Sequence, residues 1–310
     1  NISKLYISTK GDYSRINFQT LYDVKNKNYL IDQMDIVYMP DLSALKNQEL
    51  NSNNTKEAQL FGNPDFNYDF RKKIPVKPKK EEQPLLAKRF GLTAISDLPG
   101  TETELNEIEK LMTQNGWKYG SYTREKANEE NLRKVNSPKI LHIATHGYFL
   151  ADLSKMETTK VLGVDIGAAK ENPLLRSGVL LANCENVFNE DFHPSPNSEN
   201  GVLTAYEAMS LRLDKTDLVV LSACETGLGS VKQGEGVYGL QRAFLIAGAK
   251  SIIMSLWSVS DAATTELMTQ FYTNYAKTGN KQLAFTDAIK QLKTKYKEPF
   301  YWSAFVMLSR

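Results

Sequence analysis

The chain has few cysteines and lacks any long apolar run. Its 310 residues include only two cysteines, too few for a disulfide framework, which favours a reducing compartment. No apolar stretch approaches the roughly 20 residues that a membrane-spanning helix needs. The first residues lack the charged start and apolar core of a secretion signal, and they also lack an initiator methionine, which predicts a piece of a longer protein. These absences predict a cytoplasmic protein without a membrane span.

The chain also lacks a strong excess of charge of either sign. Charged residues make up 24% of it, and the formal net charge is +2. A nearly neutral chain of this length gives no basis for a dominant polyanion partner, so no direct nucleic-acid binding is predicted. The hydrophobic fraction of 41% is sufficient for one large folded domain or two modest ones.

Strand-like runs alternate with helical segments of ten or more residues along most of the chain. This alternation predicts an α/β fold with a mostly parallel sheet covered by helices on both faces. Nearly continuous apolar runs at 138–144, 217–223 and 250–256 are typical of its central parallel strands. Residues 1–56 are interpreted as a small N-terminal β/α portion and 57–310 as the core, with an exposed, basic, proline-rich insertion at 71–95.

Two of these apolar runs end in chemically reactive side chains. The run "KILHIATHG" ends with His146 and Gly147, and "LVVLSACETGLG" carries Cys224. Because sites in parallel sheets form beyond the carboxyl ends of the strands, neighbouring strands would bring His146 and Cys224 together. A cysteine becomes an effective nucleophile when a base lies near it, and the backbone N–H of Gly147 would have room to approach an oxyanion. Cys184 follows an apolar strand with no basic partner, and we interpret it as a buried, inert thiol.

Two other motifs suggest cofactors but fit them poorly. His142 and His146 are spaced like a zinc-binding pair, yet in a strand four residues span about 13 Å, too far to share one metal. The run "GEGVYG" at 234–239 matches the residue pattern of a dinucleotide fingerprint, but that fingerprint must directly follow a strand. This run lies about ten residues beyond the preceding strand. Neither a metal nor another cofactor is therefore predicted, and close packing is the preferred role of these glycines.

Taken together, the motifs resemble the CHAT family of caspase-like cysteine peptidases. The resemblance is carried by "ILHIATHGYF", "VVLSACETGLG", "GEGVYGLQRAFLIAGAKSIIMSLWSVSD" and "PFYWSAFVML", and it covers essentially the whole chain. Members are related to separases, caspases, clostripain and gingipains and are often fused to tetratricopeptide repeats. The resemblance implies a caspase-like fold and a catalytic dyad of His146 and Cys224. It also implies an oxyanion held by the backbone N–H groups of Gly147 and Cys224.

The resemblance implies an endopeptidase that cleaves a protein or peptide substrate and is regulated by an activating partner or an attached repeat region. The run "SLWSVSD" resembles the separase segment whose aspartate meets a P1 arginine, which makes Asp261 a tentative P1-pocket acid and a basic P1 residue the expected preference. Asp261 also stands where a helix N-cap is expected, and both roles remain open. The alternative function is a catalytically idle interaction or scaffold module, but such modules usually lose the histidine or cysteine, and this chain has both.

Overall fold

The computed structural model describes residues 2–9, 13, 16–46, 55–70, 74–75, 95, 97–150, 153, 160–161, 163–185, 200–222, 235–257 and 260–310. Its strands are β1 (Lys4–Ile7), β2 (Tyr22–Asp23), β3 (Asn28–Tyr29), β4 (Asp35–Tyr38), β5 (Glu57–Pro64), β6 (Tyr68–Asp69), β7 (Ile74–Pro75), β8 (Lys118–Arg124), β9 (Ile140–Ala144), β10 (Gly147–Phe149), β11 (Lys160–Val161), β12 (Val164–Asp165), β13 (Ser177–Leu180), β14 (Val202–Thr204), β15 (Leu218–Leu221), β16 (Ser251–Ser255) and β17 (Phe305–Ser309).

The α-helices in the described residues are α1 (Leu30–Gln33), α2 (Pro99–Gln114), α3 (Glu129–Arg133), α4 (Ile166–Glu171), α5 (Ala205–Ala208), α6 (Glu235–Ile246), α7 (Asp261–Thr278), α8 (Lys281–Lys295) and α9 (Pro299–Trp302). Short 3-10 turns lie at Phe18–Thr20, Leu42–Lys46 and Pro173–Leu175. Across this described part of the chain, no helix has the length and apolar character needed to cross a membrane.

The main sheet has eight strands in the order β1-β4-β17-β16-β15-β9-β5-β8. Neighbouring strands pair in parallel throughout, except β16 and β17, which are antiparallel. The prediction of a mostly parallel sheet is therefore confirmed. The three apolar runs predicted to be central form β9, β15 and β16, which are consecutive strands of this sheet.

Helices cover both faces of the sheet because side chains alternate along each strand. On one face, residues such as Ile140 and Val220 pack with α2, α7 and α8. On the other face, their neighbours Leu141 and Val219 pack with α5 and α6. Since both faces are buried, the central strands are mainly apolar; the polar residues within them are His142 in β9 and Ser251 and Ser255 at the ends of β16, and all three are buried.

A second, smaller sheet lies next to the carboxyl end of β9. It is antiparallel, with the order β10-β13-β14. The chain passes from β9 through Thr145 and His146 directly into β10. The pairing of β10 with β13 therefore fixes the backbone immediately after His146.

Some local predictions are corrected by the structure. The run "YLIDQMDIVYM" predicts one strand over 29–39, but the structure has the short helix α1 before β4, where Asp32 Oδ2 accepts a hydrogen bond from Tyr29 N–H at 3.0 Å. In "LPGTETELNEIEKL" the sequence predicts a helix capped by Thr101 or Thr103, but α2 begins at Pro99 with Leu98 as its N-cap residue, consistent with the preference of proline for the first helical turn. Of the predicted insertion at 71–95, residues 71–73 and 76–94 lie outside the described part.

Candidate active site

The carboxyl ends of β9 and β15 lie side by side. The two strands pair in parallel with Leu221 opposite Ile143, and Ser222 N–H donates to Ile143 O at 2.9 Å. Paired residues in this ladder are 78 positions apart, the same separation as His146 and Cys224 in the sequence. Cys224 itself, like Gly227 and Gly229, lies outside the described residues.

His146 lies just beyond the end of β9 and is partly exposed. Its ring packs against Phe66, with ring centroids 5.4 Å apart, and its carbonyl accepts a hydrogen bond from Leu180 N–H at 2.8 Å. His142, the other half of the zinc-like spacing, is buried within β9, and its Nδ1 lies 3.0 Å from Tyr272 Oη. Since β9 is a strand, the two histidines belong to different environments, one inside the core and one at the strand end.

Gly147, the predicted oxyanion residue, pairs with Val179 in the small sheet. Because Leu180 N–H bonds to the carbonyl of His146, Gly147 and Val179 form a non-hydrogen-bonded pair in the antiparallel ladder. In such a pair the N–H groups point away from the partner strand. The N–H of Gly147 is therefore directed away from β13 and takes no part in this ladder.

Asp261 is the first residue of α7, and the helix N-cap is Ser260, whose side chain accepts a hydrogen bond from Ala263 N–H at 3.3 Å. The expectation that Asp261 itself caps the helix is thus corrected. Asp261 is exposed and lies against Gly100 at the start of α2. A Cβ at Gly100 would lie 2.7 Å from Asp261 Cβ, so only glycine allows the two helix starts to approach this closely.

A pocket lies between these helix starts and the ends of β9 and β15. Two carboxylic acids and five hydroxyl residues contribute to its wall, together with Leu98 and Gly100. These polar residues are Glu104, Asp261, Thr101, Thr145, Ser222, Thr264 and Thr265. None of the described residues that line it is a lysine or arginine. The pocket thus places Asp261 beside residues that directly precede His146 and closely precede Cys224 in sequence.

The sequence analysis missed Glu104, an acid that is only 2% exposed. Its Oε2 accepts a hydrogen bond from Ser222 Oγ at 2.9 Å, and its Oε1 lies 3.0 Å from His142 Nε2. The available signal was an acid on the buried face of α2, four and eight residues before Ile108 and Met112. A buried acid on an apolar stripe is rare without a partner and indicates a site.

Further acids lie behind the histidine. Burial, followed by the charges of Asp97 and Asp65, raises the pKa of Glu185 to about 7. Glu185 N–H donates to the carbonyl of Phe66, the residue whose ring packs on His146. Cys184 is fully buried, which confirms its predicted burial, and burial raises the pKa of its thiol.

The glycine motif at 234–239 overlaps the start of α6. Gly239 faces β13, and a Cβ at this position would lie 2.7 Å from Ser177 Oγ. This contact confirms the preferred interpretation that close packing, between α6 and the small sheet, explains the glycine.

A family model described as the CHAT domain matches residues 1–310. Curated relatives include tetratricopeptide repeat protein 28 of Homo sapiens, 22% identical over 325 residues, which cover 98% of this chain and 12% of that protein. The Mus musculus protein of the same name is 22% identical over 323 residues, with the same coverage. The chain therefore spans only 12% of the length of these relatives.

Among solved structures, the arginine-specific cysteine proteinase gingipain R is similar with a TM-score of 0.48 and 12% identity, over 89% of this chain and 54% of that chain. The separase of the Saccharomyces cerevisiae separase-securin complex is similar with a TM-score of 0.41 and 11% identity, over 91% of this chain and 14% of that chain.

Proposed function

Since this chain belongs to the CHAT domain family, we propose that it is a cysteine endopeptidase with a His146–Cys224 dyad. The observation that carries the proposal is the parallel pairing of β9 with β15, whose register separates paired residues by 78 positions. Continued past the strand ends, this register would bring Cys224 next to His146. The proposed substrate is a protein or peptide, because the reaction proposed for this dyad is cleavage of a peptide bond.

In the proposed reaction, the Cys224 thiolate attacks the carbonyl carbon of the scissile peptide bond. The oxyanion that forms accepts hydrogen bonds from the backbone N–H groups of Gly147 and Cys224. His146 then protonates the leaving amine as the C–N bond breaks, which leaves a thioester on Cys224. A water molecule deprotonated by His146 hydrolyses this thioester, releases the acid product and restores the thiol.

The P1 residue is proposed to be basic. Asp261 lines the pocket with its carboxylate exposed, and no described lining residue carries a positive charge. The starts of α2 and α7 both adjoin the pocket, and each contributes about half a positive charge, roughly one in total. The carboxyl groups of Glu104 and Asp261 together can carry more negative charge than the helix starts carry positive charge. The pocket is therefore proposed to favour a cation such as the guanidinium of arginine.

A tetratricopeptide-repeat region is the proposed regulator. The human and mouse relatives are named for such repeats, and this chain matches only 12% of their length. The low cysteine content supports a cytoplasmic setting as a further proposal.

Cleavage of a peptide library by wild type, Cys224→Ala and His146→Ala tests the activity. We expect cleavage after basic residues by the wild type and a loss of about a thousand-fold or more in each variant, because nucleophile and base act as a unit. Cleavage by Cys224→Ala at the wild-type rate contradicts the proposal.

The second candidate is an interaction module that keeps the fold without turnover. The observation that favours it is the name of the relatives, which refers to repeats and not to catalysis. This module would bind its partner equally well as wild type and as Cys224→Ala, and no addition of a repeat region would produce cleavage.

A further inference from the structure

We propose that Lys281 is a carbamylation site, at which dissolved CO2 adds to the side-chain amine and forms an anionic carbamate. This inference is independent of the proposed peptidase function, because the site lies at the amino-terminal edge of the main sheet, opposite the edge next to His146. Lys281 is the first residue of α8, and its Nζ donates to the carbonyl of Asp217, which directly precedes β15, at 2.8 Å. The residue is partly exposed, as access by a dissolved molecule requires.

The first support is the excess of positive charge around Lys281. Lys139 and Lys250 directly precede β9 and β16, and they pair with the two carboxylate oxygens of Asp217 at 3.3 Å and 3.1 Å. Three lysines thus contact one aspartate, and within the described residues Lys281 Nζ has no carboxylate at ion-pair distance. The positive end of the α8 dipole adds to this excess. These surroundings disfavour an ammonium at Lys281 and favour an anion attached to Nζ.

The second support is the availability of the neutral amine, the form of lysine that reacts with CO2. Burial lowers the pKa of Lys281 to about 8; Asp217 opposes this shift, and the charges of Lys250 and Lys139 add to it. About half of the Lys281 side chains are then neutral at pH 8, against about one in 250 for an ordinary lysine. Burial and then the charge of Asp217 raise the pKa of Tyr275 in α7 to about 12, so this hydroxyl stays neutral and adds no charge.

The reaction forms one C–N bond and releases one proton. The lone pair of the neutral Nζ attacks the carbon of CO2, one C=O electron pair moves onto oxygen, and an N–H proton leaves to water. The product keeps one N–H, which can still donate to the carbonyl of Asp217. Because Lys281 changes from a positive to a negative charge, the excess of two positive charges in the cluster is removed. Repulsion among three ammonium groups is replaced by attraction between the carbamate and two of them.

Chemical trapping followed by mass spectrometry tests the proposal. Wild-type protein is equilibrated with bicarbonate at pH 8, treated with triethyloxonium ion, which converts carbamates into stable ethyl esters, and digested. We expect the trapped group on Lys281 at about ten-fold or more its level on Lys297, an exposed lysine that also donates to a main-chain carbonyl, because far more of Lys281 is neutral. The α-amino group of the chain, with an ordinary pKa of about 8, is the positive control for trapping.

Lys250→Gln tests the role of the neighbouring charge. It removes one cation but leaves Lys281 in place, so trapping on Lys281 should fall about three-fold or more. The matched control is Lys297→Gln, which should leave trapping on Lys281 within about two-fold of the wild type, because exposed charges are screened. Equal trapping on Lys281 and Lys297 in the wild type overturns the proposal, and this result stands even if Lys250→Gln does not fold. Trapping on Lys281 that Lys250→Gln leaves unchanged overturns it as well.

Discussion

At the scale of single residues, the sequence allowed Asp261 two roles, helix N-cap and pocket acid, and the structure gives the first of them to Ser260. Ser260 caps α7, whereas Asp261 occupies its first turn and lines the pocket. Asp261→Ala should lower kcat/KM for arginine peptides about ten-fold or more and cost only about 0.5 kcal/mol of unfolding free energy. Peptide kinetics and urea unfolding measure the two effects.

Ser260→Ala is the matched control. It removes the cap and should cost about 1 kcal/mol of unfolding free energy while the P1 preference stays unchanged. The assignment of roles is wrong if Ser260→Ala loses the arginine preference or if Asp261→Ala keeps it.

Glu185 gives the protein a pH-dependent stability. Its pKa rises to about 7 in the folded state, mainly by burial and then by Asp97 and Asp65. The folded protein therefore binds a proton that the unfolded chain has lost above pH 4.5, so stability falls as pH rises from about 4.5 to 7. Glu185→Gln should remove this fall and stabilise the protein at pH 8 by on the order of 1 kcal/mol, after allowance for the solvent-exposed part of the side chain.

Thermal unfolding at pH 5 and pH 8 checks this prediction. The difference between wild type and Glu185→Gln should be small at pH 5 and larger at pH 8. Equal differences at the two values would show that Glu185 does not titrate in this range.

At the scale of elements, buried hydrogen bonds to Glu129 connect the small sheet to α3. Glu129 Oε1 accepts hydrogen bonds from Gly201 N–H at 2.7 Å and Val202 N–H at 3.2 Å, and Oε2 pairs with Arg133 at 3.0 Å. Glu129→Ala should cost about 2 kcal/mol of unfolding free energy, because it leaves the buried Gly201 N–H without its acceptor, while Val202 N–H keeps Asn200 Oδ1 and Arg133 keeps Glu207. Since β14 pairs with β13, and β13 with β10, the hydrogen bonds of Glu129 also stabilise the strand that carries Gly147.

The adjacent Glu130 supplies the control. It forms an exposed ion pair with Lys134 on the same helix. Glu130→Ala should cost less than about 0.5 kcal/mol. If denaturant unfolding shows equal losses of unfolding free energy for Glu129→Ala and Glu130→Ala, the stabilising role of the Glu129 hydrogen bonds is refuted.

Some strands and helices could be predicted from the sequence, and others could not. The central strands were predictable because burial on both faces makes them continuously apolar, and α2 was predictable from its helical period. Helix α1 was missed because four residues are too few to show a helical period. The three-stranded sheet was missed because β10, β13 and β14 have only three or four residues each and pair across long separations.

At the scale of the whole molecule, the sheet order places the ends of β9 and β15, which are far apart in sequence, next to each other at one candidate site. His146 and Cys224 could be paired from sequence because both follow apolar strands. Glu104 could not, since its place depends on how α2 packs over β9 and β15. The division of the chain at residue 56 and the roles of the site residues stay predictions.

The most direct test of the account is covalent labelling with a peptidyl-arginine acyloxymethyl ketone, followed by mass spectrometry of the intact protein and its peptides. The account predicts one adduct, on Cys224, which slows about a hundred-fold or more in His146→Ala and disappears in Cys224→Ala. An adduct on the buried Cys184, or labelling of Cys224 at the same rate with and without His146, would contradict the proposed dyad.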